Sequence, residues 1–191
     1  ILYKLNIMSY QDIYLQSITN KEMFWKKQAE QLNWFTSPSQ ILKEKKANFY
    51  EWFADGVTNM SYLCLDVHLE QGRGNQTALI YDSPVTKQLI KYTYKQLHHV
   101  VSKFAGALKN LGVEQGDTVI IYMPMVPEAV ISMLACARIG AIHSVVFGGF
   151  APHELALRIN DANPKVIISA SYGIEGTKQI NYKPLVDRAI L

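Results

Sequence analysis

Between residues 117 and 170, short β-branched runs alternate with helix-length segments, and that alternation narrows the fold more than any other feature of the chain. Residues 118–123 read Thr-Val-Ile-Ile-Tyr-Met, a continuous apolar run that suits a strand buried on both faces. A helix is expected over 127–139, with Glu128 near its start and Arg138 near its end, where each charge suits the helix dipole. Gly140 stops it, and residues 141–147 read as the next strand. Pro152 sits where a first helical turn tolerates proline. Leu155, Ile159 and Ala162 carry the inner face of that helix, Pro164 lies past its end, and residues 165–170 form a third strand. Strand–helix–strand–helix–strand with short connections predicts an α/β fold, a parallel sheet covered on both faces.

Upstream, residues 77–81 and 89–92 read as two short strands, with Asp82-Ser83-Pro84 starting the turn between them. Thr93 and Gln96 have capping-box spacing, and Leu97, Val100, Phe104, Leu108 and Leu111 recur at helical intervals until Gly112. Gln71-Gly72-Arg73-Gly74-Asn75 reads as a linker. Ahead of it the pattern is helical and aromatic-rich. Thr19 and Glu22 suggest a capping box, with Phe24, Gln28 and Leu32 following at helical spacing. Trp25, Trp34, Phe35, Trp52 and Phe53 are expected to supply most of that segment's buried surface. The expected organisation is a helical lead-in over residues 1–70 and a parallel-sheet region over 71–191.

Composition bounds the function classes. The chain has 191 residues, 49% hydrophobic and 18% charged, ordinary values for a globular protein with a sizeable core. Its Lys and Arg are scattered, with Lys43, Lys45 and Lys46 the one dense cluster, read as a solvated helix end; this argues against a nucleic-acid surface. Cys64 and Cys136 share no spacing with a second Cys or a His pair, which argues against a metal site or a disulfide framework and favours a reducing compartment. The most apolar window, residues 131–149, contains Arg138, Gly140 and His143, so no membrane span is expected. Without a start Met or a leader, the chain is expected to begin inside a longer protein.

In open parallel sheets, ligands bind beyond the carboxyl ends of the strands. Three segments qualify: Met123-Pro124-Met125, Phe147-Gly148-Gly149-Phe150, and residues 171–178. Paired glycines let backbone approach a ligand, and the helix after them offers N–H groups to an anion; the structural alternative is a tight turn needing positive φ. Gly173 to Lys178 lacks the spacing of a Walker loop, although Lys178 could hold a phosphate as a point charge. His98 and His99 are expected at the surface, His143 in the core, and His153-Glu154 lacks the second His of a zinc helix. Asp66 and His68 have no nucleophile beside them. No G-x-G-x-x-G follows a strand, which argues against a dinucleotide oxidoreductase.

Longer stretches resemble a known family. Trp52-Phe53-Ala54-Asp55-Gly56-Val57-Thr58-Asn59, then Leu65-Asp66-Val67-His68, resembles the N-terminal signature of acetyl- and propionyl-CoA synthetases. Residues 116–124 and 133–144 continue it through Phe147-Gly148-Gly149-Phe150, and the similarity runs in order from about Tyr10 to the last residue. Residues 82–86, 170–175 and 182–186 look more like the propionate–CoA ligase branch.

The resemblance implies the first part of an adenylate-forming domain, and a parent enzyme that joins propionate or acetate to CoA through an acyl-adenylate, using ATP and Mg2+. It implies that the ATP and Mg2+ sites lie outside this chain, which alone would be inactive, and that the catalytic groups do too. It places CoA along Phe147, Gly148 and Gly149, and CoA's nucleotide end at Glu175, Gly176, Thr177 and Lys178. Acetyl-CoA synthetases carry arginines at the positions of Glu175 and Lys178; a single Lys here lacks the bidentate fork, which implies looser phosphate recognition. The expected partners are the carboxylate, CoA and ATP, and the expected compartment is the cytosol or the mitochondrial matrix. The competing expectation is a non-catalytic binding or interaction module. Exposed apolar surface is also expected where the sheet would continue.

Overall fold

A computed structural model describes residues 9–149 and 151–191. Phe150, part of the expected glycine segment, lies outside the described residues, as do the side chains of Phe147 and Glu175. The chain packs as two units, Ile1–Thr58 and Asn59–Leu191.

In the first unit, α1 (Tyr10–Thr19) opens with a reciprocal cap: the Asp12 N–H donates to Ser9 Oγ, and the Ser9 N–H donates to the Asp12 carboxylate. The capping box expected at Thr19 and Glu22 does not form. Thr19 is still helical, and its hydroxyl donates to the Leu15 carbonyl at 2.6 Å, so α2 (Lys21–Ala29) starts from Asn20 without a side-chain cap. Among the described residues the remainder of this unit is not helical. β1 (Leu42–Lys46) and β2 (Phe49–Trp52) form an antiparallel hairpin turning at Asn48, φ +62°. The lysine cluster therefore lies on a strand rather than a helix end, with Lys45 paired to Glu51 and Lys46 over the Phe49 ring. Asp55 fastens the preceding loop: its carboxylate accepts from the N–H groups of Ser39 and Gln40. The Ser39 hydroxyl first, then the Gln40 N–H, hold its pKa down at about 2.

The aromatics expected to be buried here pack against one another yet stay substantially open. Trp25 meets Trp52 edge-on, and Trp34 leans on Phe53 while its Nε1–H donates to the Ala29 carbonyl. Trp25, Phe35 and Trp52 remain exposed, and the buried hydrophobic positions described in this unit are Ala29 and Ile41. Two short helices and a hairpin enclose too little volume to cover rings of that size.

The second unit begins with a π-helical turn (Tyr62–Asp66) running into α3 (Val67–Glu70). Its Leu65 joins the main core, so the division between units falls ahead of the linker at residues 71–75. β3 (Thr77–Ser83) and β4 (Gln88–Thr93) pair antiparallel, and α4 (Tyr94–Asn110) starts from the Thr93–Gln96 capping box read in the sequence. β5 (Thr118–Met123), α5 (Pro127–Ile139), β6 (Ile142–Phe147), α6 (Pro152–Ala162) and β7 (Val166–Ser169) follow. Gly140 adopts φ +75° just past α5, the left-handed stop that a side chain would disfavour. The three strands form a parallel sheet in the order β6-β5-β7. The expected α/β architecture is the observed one.

β5 is central, and successive side chains serve opposite faces. Val119 joins the core made by Leu97, Val101, Leu108 and Ala135 of α4 and α5, whereas Ile120 and Tyr122 join Leu155 of α6. His143, expected in the core, is exposed because β6 is an edge strand of this sheet. Ile142 and Val145 on the same strand are also open to solvent, as expected of a sheet that could continue. Beyond β7 the chain forms a hairpin, β8 (Tyr172–Glu175) with β9 (Lys178–Asn181), and ends in α7 (Tyr182–Ile190). Tyr182, Val186 and Ala189 of α7 complete the second core. Among the described residues no helix is long and apolar enough to cross a membrane.

Candidate functional site

The parallel register sets the carboxyl ends of the strands nearly level: Met123 stands beside Phe147, and Tyr122 beside Ser169. Each is followed by one of the segments singled out in the sequence. Residues 124–126 leave β5, Gly148 and Gly149 leave β6, and residues 170–171 lead into the β8–β9 hairpin.

Gly148 is buried and does not adopt the left-handed conformation, so the tight-turn explanation does not hold for it. What it lacks is room. A Cβ there would press on the Tyr182 hydroxyl, stand 2.9 Å from its Cζ and lie 3.1 Å from the Met123 carbonyl. Gly173 of β8 is under the same constraint from the other side: its Cβ would stand 2.6 Å from the same hydroxyl and 3.4 Å from Pro124 Cβ. One phenol thus occupies a socket made by two glycines from separate segments. Its ring also packs on Tyr122 at 5.0 Å, and the Tyr182 N–H donates to the Ser171 carbonyl at 3.0 Å. Burial, then the proximity of Tyr182, raises the pKa of Tyr122 above its ordinary value, keeping that phenol protonated.

Gly149, by contrast, is exposed at the carboxyl end of β6. The residues expected at the nucleotide end of CoA form the far end of the hairpin rather than a loop. Glu175 and Lys178 are cross-strand partners, with Gly176 and Thr177 between them and Gly176 at φ +59°. Gly176, Thr177 and Lys178 are all exposed. Through Tyr182 the base of this hairpin is brought against Gly148; its tip lies about 10 Å further along the ribbon at about 3.4 Å per residue.

Other chemistry-bearing residues have structural work. Arg138 grips Asp66 with both nitrogens, at 2.7 and 2.8 Å, and His98 Nε2 lies 3.1 Å from Asp66 Oδ1 and 3.0 Å from Arg138 Nη2. His98 is therefore partly buried in an ion cluster, while His99 is exposed as expected. Burial opposes the Asp66 carboxylate, yet Arg138 and then His98 outweigh it and leave its pKa below the ordinary value. No sequence motif marked that cluster; its members are 32 to 72 residues apart. Cys136 is buried, and burial pushes its thiol up to about 11, so it is no nucleophile. A groove of about 660 Å³ follows the β7 edge between α6 and α7, but its Lys165 and Lys183 are already paired with Asp117 and Asp187. Among the described residues no group of three or more His, Cys, Asp or Glu side chains could hold a metal ion.

Comparison with known proteins speaks to the family and the fold. Residues 66–189 match the family described as AMP-binding enzyme, and residues 10–64 match the acetyl-coenzyme A synthetase N-terminus. The chain is similar to acyl-CoA synthetase short-chain family member 3, mitochondrial, of Homo sapiens: 48% identical over 181 residues, covering 95% of this chain and 26% of that protein. It is 46% identical over 192 residues to acetyl-coenzyme A synthetase of Serratia proteamaculans, covering 97% of this chain and 29% of that protein. Among solved structures, acetoacetyl-CoA synthetase from Streptomyces lividans superposes with a TM-score of 0.86 at 24% identity, over 95% of this chain and 28% of that one. At that identity the likeness speaks for the fold alone. The chain spans less than a third of the length of these proteins.

Proposed function

Because this chain belongs to the AMP-binding enzyme family, among its acetyl- and acyl-CoA synthetases, we propose that the protein ligates a short-chain carboxylate to CoA through an acyl-adenylate. These 191 residues supply scaffold and part of the surface along which CoA lies. The observation that carries the reading is the level carboxyl edge of β5, β6 and β7. It presents an open Gly149 and, beside it, a hairpin whose tip bears Lys178. Backbone with no side chain suits the close passage of an extended cofactor, and an exposed ammonium suits a phosphate.

The residue-level assignment is the one the resemblance implies, and that edge supports it. Gly149 and the Phe147 backbone flank the passage of CoA, while Gly176, Thr177 and Lys178 meet its nucleotide end, with Glu175 contributing backbone. Gly148 differs from the rest: it serves the passage by seating Tyr182 and not by touching CoA. ATP and Mg2+, which supply the leaving group and charge neutralisation when bound, are held by residues outside these 191. The acid is propionate rather than acetate, on the propionate-type character of residues 82–86, 170–175 and 182–186. The compartment is the cytosol or the mitochondrial matrix.

The test is chemical. Full-length protein with ATP, CoA and either acid is expected to form acyl-CoA and pyrophosphate, with propionate giving the higher kcat/KM. Absence of acyl-CoA with both acids would remove the ligase reading; equal or better use of acetate would remove only the choice of acid.

A further inference from the structure

We propose that Tyr182 is the positioning residue for the hairpin tip, fixing where Lys178 meets CoA; this rests on the ligase reading above. A two-stranded ribbon is only marginally stable by itself and takes its direction from whatever it is anchored to. β8 and β9 pair over four residues each, from Tyr172 opposite Asn181 to Glu175 opposite Lys178. The anchor stands at the open end of that ladder. Tyr182 follows Asn181 directly, its N–H donates to the Ser171 carbonyl just before β8, and its ring is buried against Tyr122.

The socket is specific in shape. The hydroxyl end of the ring lies between Gly148, which leaves β6, and Gly173, in β8 itself. One side chain therefore sets the position of the ribbon against the carboxyl edge of the sheet. A methyl at either glycine would force the ring to move, and the ribbon with it, because at Gly173 a Cβ would stand 2.6 Å from the Tyr182 hydroxyl and 3.0 Å from its Cζ. A tilt at the base is carried along three further residues to the tip, so a small rotation displaces Lys178 by more than it displaces Gly173. Tyr182 itself is buried and acts through Lys178, without touching substrate.

The test is steady-state kinetics on the full-length protein, scoring two half-reactions separately: carboxylate-dependent ATP–pyrophosphate exchange without CoA, and acyl-CoA formation with CoA varied. Y182L and G173A are expected to raise the KM for CoA about tenfold, equivalent to about 1.4 kcal/mol, while leaving exchange within about twofold. Y182F keeps the ring and is expected to recover most of the loss. K178A placed in the Y182L background is expected to add little, since both act through one contact. Loss of exchange in parallel with acyl-CoA formation would overturn the proposal, as would an unchanged KM for CoA in folded Y182L or simple additivity with K178A. If G173A does not fold, the Y182L, Y182F and K178A set still decides. Wild-type protein that forms no acyl-CoA would sink the ligase reading and this proposal together, whereas ligase activity with indifferent variants sinks the proposal alone.

Discussion

Arg138, in the last turn of α5, holds Asp66 by both nitrogens of its guanidinium, Nη1 to Oδ2 at 2.8 Å and Nη2 to Oδ1 at 2.7 Å. The pair joins the π-helical turn to the helical layer on one face of the sheet, and Asn59 strengthens the join by donating to the Ala137 carbonyl at 2.7 Å. The core depends on that join, because Leu65, one residue before Asp66, is almost fully buried beside α4.

The Asp66–Arg138 pair is about one-fifth exposed on each side, between the surface and fully buried extremes. D66N is expected to destabilise the protein by about 2 kcal/mol, the range for charge-assisted hydrogen bonds. R138K keeps the charge but loses the fork, and is expected to cost nearly as much. Denaturant unfolding measures both; a neutral R138K would mean that the planar geometry contributes nothing.

His68 predicts a pH dependence. It stacks on Tyr94 at 4.1 Å, and its Nδ1 is buried without a hydrogen-bond partner among the described residues. Burial first, then the charge of Arg73, lowers its pKa. A group whose folded pKa is depressed binds fewer protons in the folded state, so its contribution is full above the unfolded value of about 6.5 and fades as the pH falls through the folded pKa. Unfolding midpoints are expected to drop as the pH falls below about 6.5, and H68F is expected to lessen that drop. A wild-type slope unchanged by H68F would assign it elsewhere.

Leu108 is 1% exposed and sits among Val101, Ala105 and Val113 under the sheet. L108A is expected to cost about 3 kcal/mol through lost transfer energy and the cavity left behind. A loss below about 1 kcal/mol would mean that α4 relaxes onto the sheet and fills the space.

The sheet and its helices were legible because their signals are local. The run at residues 118–123, Pro127 and Gly140 around α5, and the Thr93–Gln96 box each carry their own reason. The β1–β2 hairpin and the β8–β9 ribbon were not, since strands of four or five residues with Lys, Glu or Gly in them show little alternation. Helix α7 could have been found from Tyr182, Val186 and Ala189, spaced four and three apart, with Pro184 in a first turn that tolerates proline. The Asp66–His98–Arg138 cluster and the Tyr182 socket are products of tertiary proximity. Gly148 shows the difference most sharply: its position after a strand was readable, but its need for space came from a side chain 34 residues later.

Hydrogen exchange on the full-length protein, with and without CoA, asks directly whether the cofactor lies along this edge. Slowed exchange at Phe147 to Gly149 and at Glu175 to Lys178, with none at the Asp66–Arg138 pole, is the expected pattern. Saturating CoA that leaves both segments unchanged while protecting another surface would refute the assignment.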